Sequence, residues 1–346
     1  MTKIKVLIVD DSALIRQILT QIFQATDDIE VVGTAGDPLI ARDKIKALNP
    51  DVLTLDVEMP RMDGLTFLRN LMRLRPMPVV MVSTLTAQGA EVTLEALALG
   101  AVDFVAKPKI DAASALRDYA EEIIQKVRLA ATARVKALEP SRSSVPTSAS
   151  GVKRHFKTTD KIIAMGSSTG GTEAVKQVVS ALPPHSPAIV VTQHLPVAFS
   201  ASFAKHVGDV TTMPVHLAQD GQPILPGNVY IAPGDSHLLV VKNGARYACR
   251  LDDGPPVNRH KPSVEVLFQS IADNVGINAI GVMLTGMGAD GAKAMVEMRK
   301  AGAINIVQDE ASSVVWGMPG EAFKQGAAHH VVSLENMADK ILHLLE

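Results

Sequence analysis

The chain has 346 residues, of which 47% are hydrophobic and 20% charged, and its formal net charge at pH 7 is −2. This composition excludes a disordered or fibrous protein, and the small net charge gives no positive surplus for binding nucleic acid. Cys249 is the only cysteine, which excludes an intramolecular disulfide and leads us to expect a cytoplasmic protein.

Length and hydropathy together predict two domains without a membrane span. One hydrophobic core normally serves up to about 250–300 residues, and this chain is longer. The apolar run at residues 4–9 is too short for a secretory signal and is followed by Asp10 and Asp11. No apolar run of about 18 residues occurs elsewhere, so we expect no direct membrane insertion.

Five short apolar runs in the first 128 residues predict the strands of one parallel sheet. They alternate with longer amphipathic segments of helical period, which is typical of a doubly wound sheet with helices on both faces. The predicted strands are residues 4–9, 31–35, 52–55, 79–82 and 103–105. Ligand sites in such sheets lie at the carboxyl ends of the strands.

Charged side chains follow three of these strands. Asp10 and Asp11 end the first strand, Asp56 ends the third, and Lys107 follows the fifth. Three carboxylates at one sheet edge repel one another unless a cation lies among them, and Mg²⁺ prefers oxygen ligands. Each acid taken alone could be a helix cap. As an ordered set they predict a Mg²⁺ site, with Lys107 as a second positive charge.

With these residues, positions 1–128 resemble a response-regulator receiver domain. The resemblance implies a flavodoxin-like fold, with Asp56 as the phosphoacceptor. It implies that Asp10, Asp11, Asp56 and the backbone carbonyl of Glu58 bind the Mg²⁺ needed for phosphorylation. A chemotaxis histidine kinase is the implied phosphodonor.

The same resemblance assigns three switch residues. The hydroxyl switch falls on Ser83, which follows the fourth predicted strand, and the lysine on Lys107. The aromatic switch falls on Phe104, where relatives often have tyrosine. Phenylalanine has no hydroxyl, so we expect a change of rotamer at this position without a tyrosine-type hydrogen bond.

Residues 129–156 are predicted to be a flexible linker, and residues 157–346 a second domain. The segment around residues 139–151 is rich in serine and proline and lacks apolar periodicity. An apolar strand at residues 162–165 then runs into a glycine-rich turn and a helical pattern at residues 172–181. The linker therefore separates two α/β units.

The turn after the strand at residues 162–165 predicts a serine nucleophile. Residues 166–170 read Gly-Ser-Ser-Thr-Gly, the G-x-S-x-G pattern that exposes its central residue, here Ser168, between a strand and a helix. The alternative is a phosphate-binding loop at a helix N-terminus. A P-loop requires Lys followed by Ser or Thr after its last glycine, whereas Gly171 is followed by Thr172 and Glu173.

A serine nucleophile needs a base, and the chain has ten histidines. His194 follows an apolar strand at residues 189–191, which places it at a carboxyl strand end beside the predicted nucleophile. His216 and His237 lie near other predicted strands and remain open as alternatives at this point, although both could be ordinary half-buried residues.

A second glycine-rich turn follows the predicted strand at residues 280–284 and supports two hypotheses. Gly286, Gly288 and Gly291 match a dinucleotide-binding fingerprint, with acids at positions 309 and 310 where a ribose-binding carboxylate is expected. The motif comes late in its domain, however, and Asp290 would compete with a pyrophosphate for the helix N-terminus. An acid at this position is better suited to orienting a histidine.

Ser168, His194 and Asp290 together make residues 157–346 resemble the catalytic domain of chemotaxis protein-glutamate methylesterases. The resemblance implies an α/β serine-hydrolase domain of methylesterase type, with these three residues catalytic and no cofactor for the ester chemistry. Backbone N–H groups near Thr169 and Met287 are the expected oxyanion donors.

The implied activity is phosphorylation-activated demethylation of glutamate methyl esters, and deamidation of glutamines, on methyl-accepting chemotaxis receptors. Two other functions compete with this activity. A DNA-binding output domain is disfavoured because the second half has no basic helix-turn-helix. A dinucleotide-binding enzyme using Gly286, Gly288 and Gly291 is the remaining alternative.

Overall fold

The computed structural model describes residues 3–59, 63–84, 86–107, 113–133, 135 and 161–346. The chain divides into two compact units, residues 1–145 and 146–346. Most of the predicted linker, from residue 136 onward, and residues 157–160 of the predicted second domain lie outside the described residues. Within the described part of the chain, none of the helices has the length and apolarity that a bilayer crossing requires.

The first unit is a five-stranded parallel sheet with the strand order β2-β1-β3-β4-β5. This is the flavodoxin-like order, with its switch point between β1 and β3. Among the described residues of this unit, five helices connect or follow the strands. In chain order the elements are β1 (Ile4–Val9), α1 (Ala13–Gln24), β2 (Ile29–Ala35), α2 (Pro38–Leu48), β3 (Val52–Asp56), α3 (Gly64–Leu74), β4 (Val79–Ser83), α4 (Ala87–Ala98), β5 (Asp103–Ala106) and α5 (Ala113–Ala130).

Burial and capping explain why these segments adopt their structures. β3 and β4 are buried along their whole length, because helices cover both faces of the sheet. Helices α1 to α4 each begin after a residue whose side-chain oxygen accepts a hydrogen bond from a first-turn N–H. These N-cap residues are Ser12, Asp37, Asp63 and Thr86.

The second unit contains a seven-stranded parallel sheet with the order β14-β13-β12-β6-β7-β9-β8. Its strands are β6 (Ile162–Ser167), β7 (Ala188–Gln193), β8 (Val215–Leu217), β9 (Val229–Ile231), β12 (Ala279–Met283), β13 (Ile304–Gln308) and β14 (His330–Val332). Its helices are α6 (Gly171–Ala181), α7 (Val197–Gly208), α8 (Val264–Asn274), α9 (Ala292–Lys300), α10 (Met318–Lys324) and α11 (Met337–Leu345). The prediction of two doubly wound α/β domains is confirmed.

An antiparallel hairpin, β10 (His237–Asn243) and β11 (Arg246–Asp252), stands apart from this sheet. Its two-residue turn begins at Gly244, whose φ of 61° suits a primed hairpin turn. Val240 and Cys249 are paired on the hairpin and fully buried within the core of the second unit. The hairpin leads into the segment that precedes α8.

Candidate active site and phosphoacceptor site

The predicted nucleophile lies in a crowded turn between β6 and α6. Gly170, the N-cap of α6, has a φ of 75°, which favours glycine. A Cβ on Gly166 would lie 2.3 Å from Val264 Cγ1, and one on Gly171 would lie 2.2 Å from Gln193 Oε1. The glycines of the G-x-S-x-G-G segment are therefore required for close packing, and Ser168 remains half-buried at the carboxyl end of the sheet.

Strand pairing brings His194 beside this turn. β6 and β7 are parallel neighbours in which Ser167 pairs with Gln193. Ser168 and His194 are the next residues after this pair. The backbone N–H of His194 donates to the Ser167 carbonyl at 3.1 Å. The Gln193 carboxamide donates to the Ser168 carbonyl at 2.9 Å. The predicted nucleophile and base thus occupy the same position on adjacent strands.

The His194 imidazole is held by Asp290. Nε2 lies 2.8 Å from Asp290 Oδ2, and since a carboxylate can only accept, Nε2 carries the proton. Nδ1 is buried and has no hydrogen-bond partner among the described residues. Nδ1 is therefore the nitrogen available to a nucleophile, the reverse of the chymotrypsin arrangement, in which the aspartate binds Nδ1.

The Asp290 carboxylate lies at the N-terminus of α8 and accepts a dense set of hydrogen bonds. Besides His194, its donors at 2.7–2.8 Å are Asn258 Nδ2, Ser263 Oγ and the Val264 N–H. Burial alone raises the pKa of Asp290, but the hydrogen bond and charge of His194, with those from Asn258 and Ser263, outweigh it and lower the pKa to about 2. Asp290 is therefore ionised and can stabilise a protonated His194.

A second carboxylate, that of Glu265, accepts a hydrogen bond at the N-terminus of α9, just as Asp290 does at the N-terminus of α8. Glu265, in the first turn of α8, accepts the Gly291 N–H at 3.0 Å, at the N-cap of α9. Burial, with repulsion from Asp290, raises the pKa of Glu265. In the dinucleotide hypothesis a pyrophosphate would need this helix N-terminus. The Glu265 carboxylate already occupies it.

The predicted oxyanion residues lie on adjoining turns. The Ser168 N–H donates to the Thr285 carbonyl at 3.1 Å, and Thr285 Oγ1 lies 3.0 Å from the Thr169 carbonyl. The Thr285 N–H in turn donates to Gln308 Oε1. Thr169 is buried and Met287 half-buried, and their role as oxyanion donors stays a prediction.

The other two candidate histidines have different partners. His216 Nε2 contacts Asn228 Oδ1 at 3.0 Å, and its ring stacks on Tyr230. His237 is buried between the Pro255 carbonyl and the Ser263 N–H. Neither is joined to Asp290 by a described hydrogen bond. Sequence reasoning missed Asn258 and Ser263, which reach Asp290 from a loop that carries no recognisable motif.

We expect Asp290→Asn to weaken the catalytic unit by about 2 kcal/mol at neutral pH. The pKa of Asp290 in the folded state lies below the ordinary 3.8. Its contribution to the free energy of unfolding is therefore present above pH 4 and is lost as the pH falls towards 2. The fluorescence of Trp316, the only tryptophan, reports unfolding of this unit. The difference in stability between wild type and variant should shrink between pH 4 and pH 2, and a constant difference would contradict the prediction.

In the first unit the three predicted metal-binding acids come together. Asp10, Asp11 and Asp56 each offer an oxygen within 4.8 Å of the others. Lys107 Nζ lies 2.8 Å from Asp56 Oδ2 and 3.6 Å from Asp10 Oδ2. Burial is the main cause that raises the pKa of Asp56 to about 6; Lys107 opposes it and the charge of Asp10 adds to it. Burial also raises the pKa of Asp10.

This cluster suits Mg²⁺. Asp10 and Asp56 are buried acids, and Lys107 is the cation that contacts both of them among the described residues. One lysine offsets the charge of only one of the three carboxylates, and carboxylate oxygens are the ligands that a hard cation prefers. The Glu58 N–H donates to Asp56 Oδ1 at 3.1 Å, so Glu58 lies beside the acceptor. The role of its carbonyl as a metal ligand stays a prediction.

The predicted switch residues are buried, and each has neighbours that the sequence did not indicate. Ser83 follows Val82, the pairing partner of Asp56, and its Oγ lies 2.8 Å from Thr93 Oγ1 on α4. Phe104 is buried, with Lys126 Nζ 5.0 Å from the centre of its ring. Lys126 also donates to the Phe104 carbonyl. A change of rotamer at Phe104 would therefore disturb α5.

Comparison with protein families divides the chain at the same two units. The response regulator receiver domain family matches residues 6–120, and the CheB methylesterase family matches residues 163–341. Neither match is a dinucleotide-binding family, and the alternative based on Gly286, Gly288 and Gly291 finds no support in these comparisons.

The similarity to known proteins extends over the whole chain. One from Xanthomonas euvesicatoria pv. vesicatoria, named protein-glutamate methylesterase/protein-glutamine glutaminase 1, is 58% identical and covers 99% of this chain and 98% of its own length. A protein from Hydrogenovibrio crunogenus, named protein-glutamate methylesterase/protein-glutamine glutaminase, is 55% identical over all of both chains. The crystal structure of the Thermotoga maritima CheB methylesterase catalytic domain matches with a TM-score of 0.53 at 34% identity, covering 54% of this chain and all of that domain.

Proposed function

Because the chain belongs to the CheB methylesterase family and carries a response regulator receiver domain before its catalytic domain, we propose that it hydrolyses glutamate methyl esters on methyl-accepting chemotaxis receptors. Phosphorylation of the receiver activates the hydrolase, and the result is sensory adaptation. The pairing of His194 with Asp290, one strand away from the Ser168 turn, carries the chemical part of this proposal.

The ester is cleaved through an acyl-enzyme. His194 Nδ1 takes the proton of the Ser168 hydroxyl as the serine oxygen attacks the ester carbonyl. Asp290, held ionised by its donors, keeps the proton on Nε2 and stabilises the imidazolium that forms. His194 then returns the proton to the methoxy group, which leaves as methanol.

The second half of the reaction uses the same groups. Water loses a proton to His194 and attacks the acyl-enzyme. The bond between the acyl group and the Ser168 oxygen breaks, His194 returns the proton to that oxygen, and the glutamate carboxyl group is released. Backbone N–H groups of Thr169 and Met287 stabilise the oxyanion in both halves, and one such donor contributes about 2.7–4 kcal/mol. Serine, imidazole and carboxylate suffice for this chemistry, so we propose no cofactor for it.

Glutamine deamidation follows from the same geometry. A primary amide differs from a methyl ester at the leaving group, and His194 can protonate either. Ammonia then leaves instead of methanol, and the acyl-enzyme is the same. Relatives named both methylesterase and glutaminase support this second activity.

Asp56 accepts the phosphoryl group in the receiver. Asp10, Asp11, Asp56 and the Glu58 carbonyl would hold Mg²⁺, which offsets the negative charge of the phosphoryl group. Lys107 contacts Asp56 and so can bind the same group. Ser83 and Phe104 respond to it. The phosphodonor is a chemotaxis histidine kinase, and we place both reactions in the cytoplasm.

The direct test is methanol release from a methylated chemoreceptor. We expect the full-length chain to release methanol, and to release it faster when Mg²⁺ and a small phosphodonor such as acetyl phosphate are added. The matched control is the Asp56→Asn variant, in which acetyl phosphate should have no effect. Absence of methanol under both conditions, from a folded protein, would contradict the proposed activity.

A further inference from the structure

A tight turn at residues 257–260 stands over the candidate active site. The Val257 N–H donates to the His260 carbonyl at 3.0 Å, and the His260 N–H donates back to the Val257 carbonyl at 2.9 Å. Between them Asn258 and Arg259 have φ values of 52° and 69°. Two successive left-handed residues define a type I′ turn, a conformation that asparagine tolerates. The direction of the flanking side chains is therefore closely defined.

Two side chains of this turn contact the candidate triad. Asn258 Nδ2 donates to Asp290 Oδ1 at 2.7 Å. The His260 ring stacks on the His194 ring, with centroids 3.7 Å apart and planes inclined by only 11°. The turn thus reaches both the carboxylate and the imidazole. Nothing in the local sequence indicates a catalytic role for it.

The stack restricts a motion that the hydrogen bond to Asp290 leaves open. The bond fixes the Nε2 edge of His194, but the ring can still tilt about the line from Cβ to Asp290, and tilting would move Nδ1. A parallel ring at 3.7 Å blocks tilting towards that face. Nδ1, which has no described partner, has to be aligned with the Ser168 hydroxyl when substrate binds.

We infer that His260 is a positioning residue of the esterase, whose ring covers one face of His194 and keeps Nδ1 directed at the nucleophile. The inference rests on the proposed function. It predicts that the shape of residue 260 matters more than its ability to carry a proton. A flat aromatic ring should replace histidine, and an aliphatic side chain of similar volume should not.

The test compares His260→Leu with His260→Phe in the full-length chain. Two reactions are followed in the presence of Mg²⁺ and acetyl phosphate, and three constants are measured. Methanol release from methylated receptor gives kcat and KM. Phosphonylation of Ser168 by a fluorophosphonate, a small probe that needs an activated serine and no receptor contact, gives the third constant. We expect His260→Leu to lower kcat and the phosphonylation rate about tenfold to a hundredfold, because small misplacements of catalytic groups have effects of this size. KM should be unchanged.

His260→Phe should restore both rates to within about threefold of wild type, since ring stacking does not need the imidazole nitrogens. The matched control is His216→Leu, which removes a histidine stacked on Tyr230 with centroids 5.3 Å apart and should leave both rates unchanged. Thermal unfolding followed by Trp316 fluorescence checks that each variant is folded. If His260→Leu is unfolded, the rates of His260→Phe alone decide the question.

The outcomes separate this inference from the proposed function. A His260→Leu variant with wild-type rates would overturn the positioning role. Equal losses in the leucine and phenylalanine variants would also overturn it, because the imidazole chemistry and not the stack would then matter. Failure of the wild-type protein to react with the fluorophosphonate and to release methanol would contradict the proposed function itself.

Discussion

Replacing Ser168 with alanine should reduce methanol release by about 10⁴-fold to 10⁶-fold, the range found when a serine nucleophile is removed from a triad. The fold should be unaffected. Ser168 contributes to the turn through its backbone, which donates to the Thr285 carbonyl and accepts from the Gly171 N–H and the Gln193 side chain. None of these bonds uses the hydroxyl. Methanol release from methylated receptor is the measurement, and a fluorophosphonate should no longer label the variant.

Ser167→Ala is the matched control, one residue away. Ser167 Oγ is fully buried and donates to Gln193 Oε1 at 2.6 Å, so the hydroxyl has a structural partner. Its loss should cost about 1 kcal/mol of stability, with turnover close to wild type. If Ser167→Ala lost activity and Ser168→Ala kept it, the nucleophile would have to be reassigned to Ser167.

The central strands of both sheets could be predicted because they are buried on both faces. A strand covered by helices on both sides is a short continuous apolar run, which sequence alone reveals. β1 has the predicted bounds, and β3 and β4 differ from theirs by one residue. The residues that follow such strands meet at one edge of the sheet, which is why the sequence alone groups the acids of the receiver.

The parts that could not be predicted depend on contacts between distant segments. β8 and β9 have only three residues each, too few for a period to be visible. Asn258 and His260 belong to a polar loop, and their partners Asp290 and His194 are 32 and 66 residues away. The pairing of Asp290 with Nε2 is likewise a result of how α8 packs on the turn after β12. Motifs located the candidate triad, but only the fold supplies its supporting residues.

Asp56→Asn should abolish phosphoryl uptake from acetyl phosphate and at the same time stabilise the metal-free receiver at neutral pH. The first effect is the loss of the acceptor carboxylate. The second follows from the pKa of Asp56, which is raised in the folded state to about 6 from 3.8. Between pH 4 and 6 the folded state holds a proton that the unfolded state has released. The favourable contribution of this group is therefore present below pH 4 and is lost as the pH rises through 6.

Above pH 7 the ionised Asp56 is a buried charge beside Asp10, and asparagine removes it. Calorimetry without Mg²⁺ should show a receiver transition at higher temperature in the variant at pH 8, with little difference at pH 4. Mg²⁺ should reduce the difference in transition temperature at pH 8. It binds the folded wild-type receiver and stabilises it, and it binds the variant less well because one carboxylate is missing. Asp11→Asn is the control, since it weakens Mg²⁺ binding but leaves the acceptor in place. Phosphorylation of the Asp56→Asn variant would show that another residue is the phosphoacceptor. A stability difference between wild type and variant that does not depend on pH would show that the raised pKa of Asp56 is wrong.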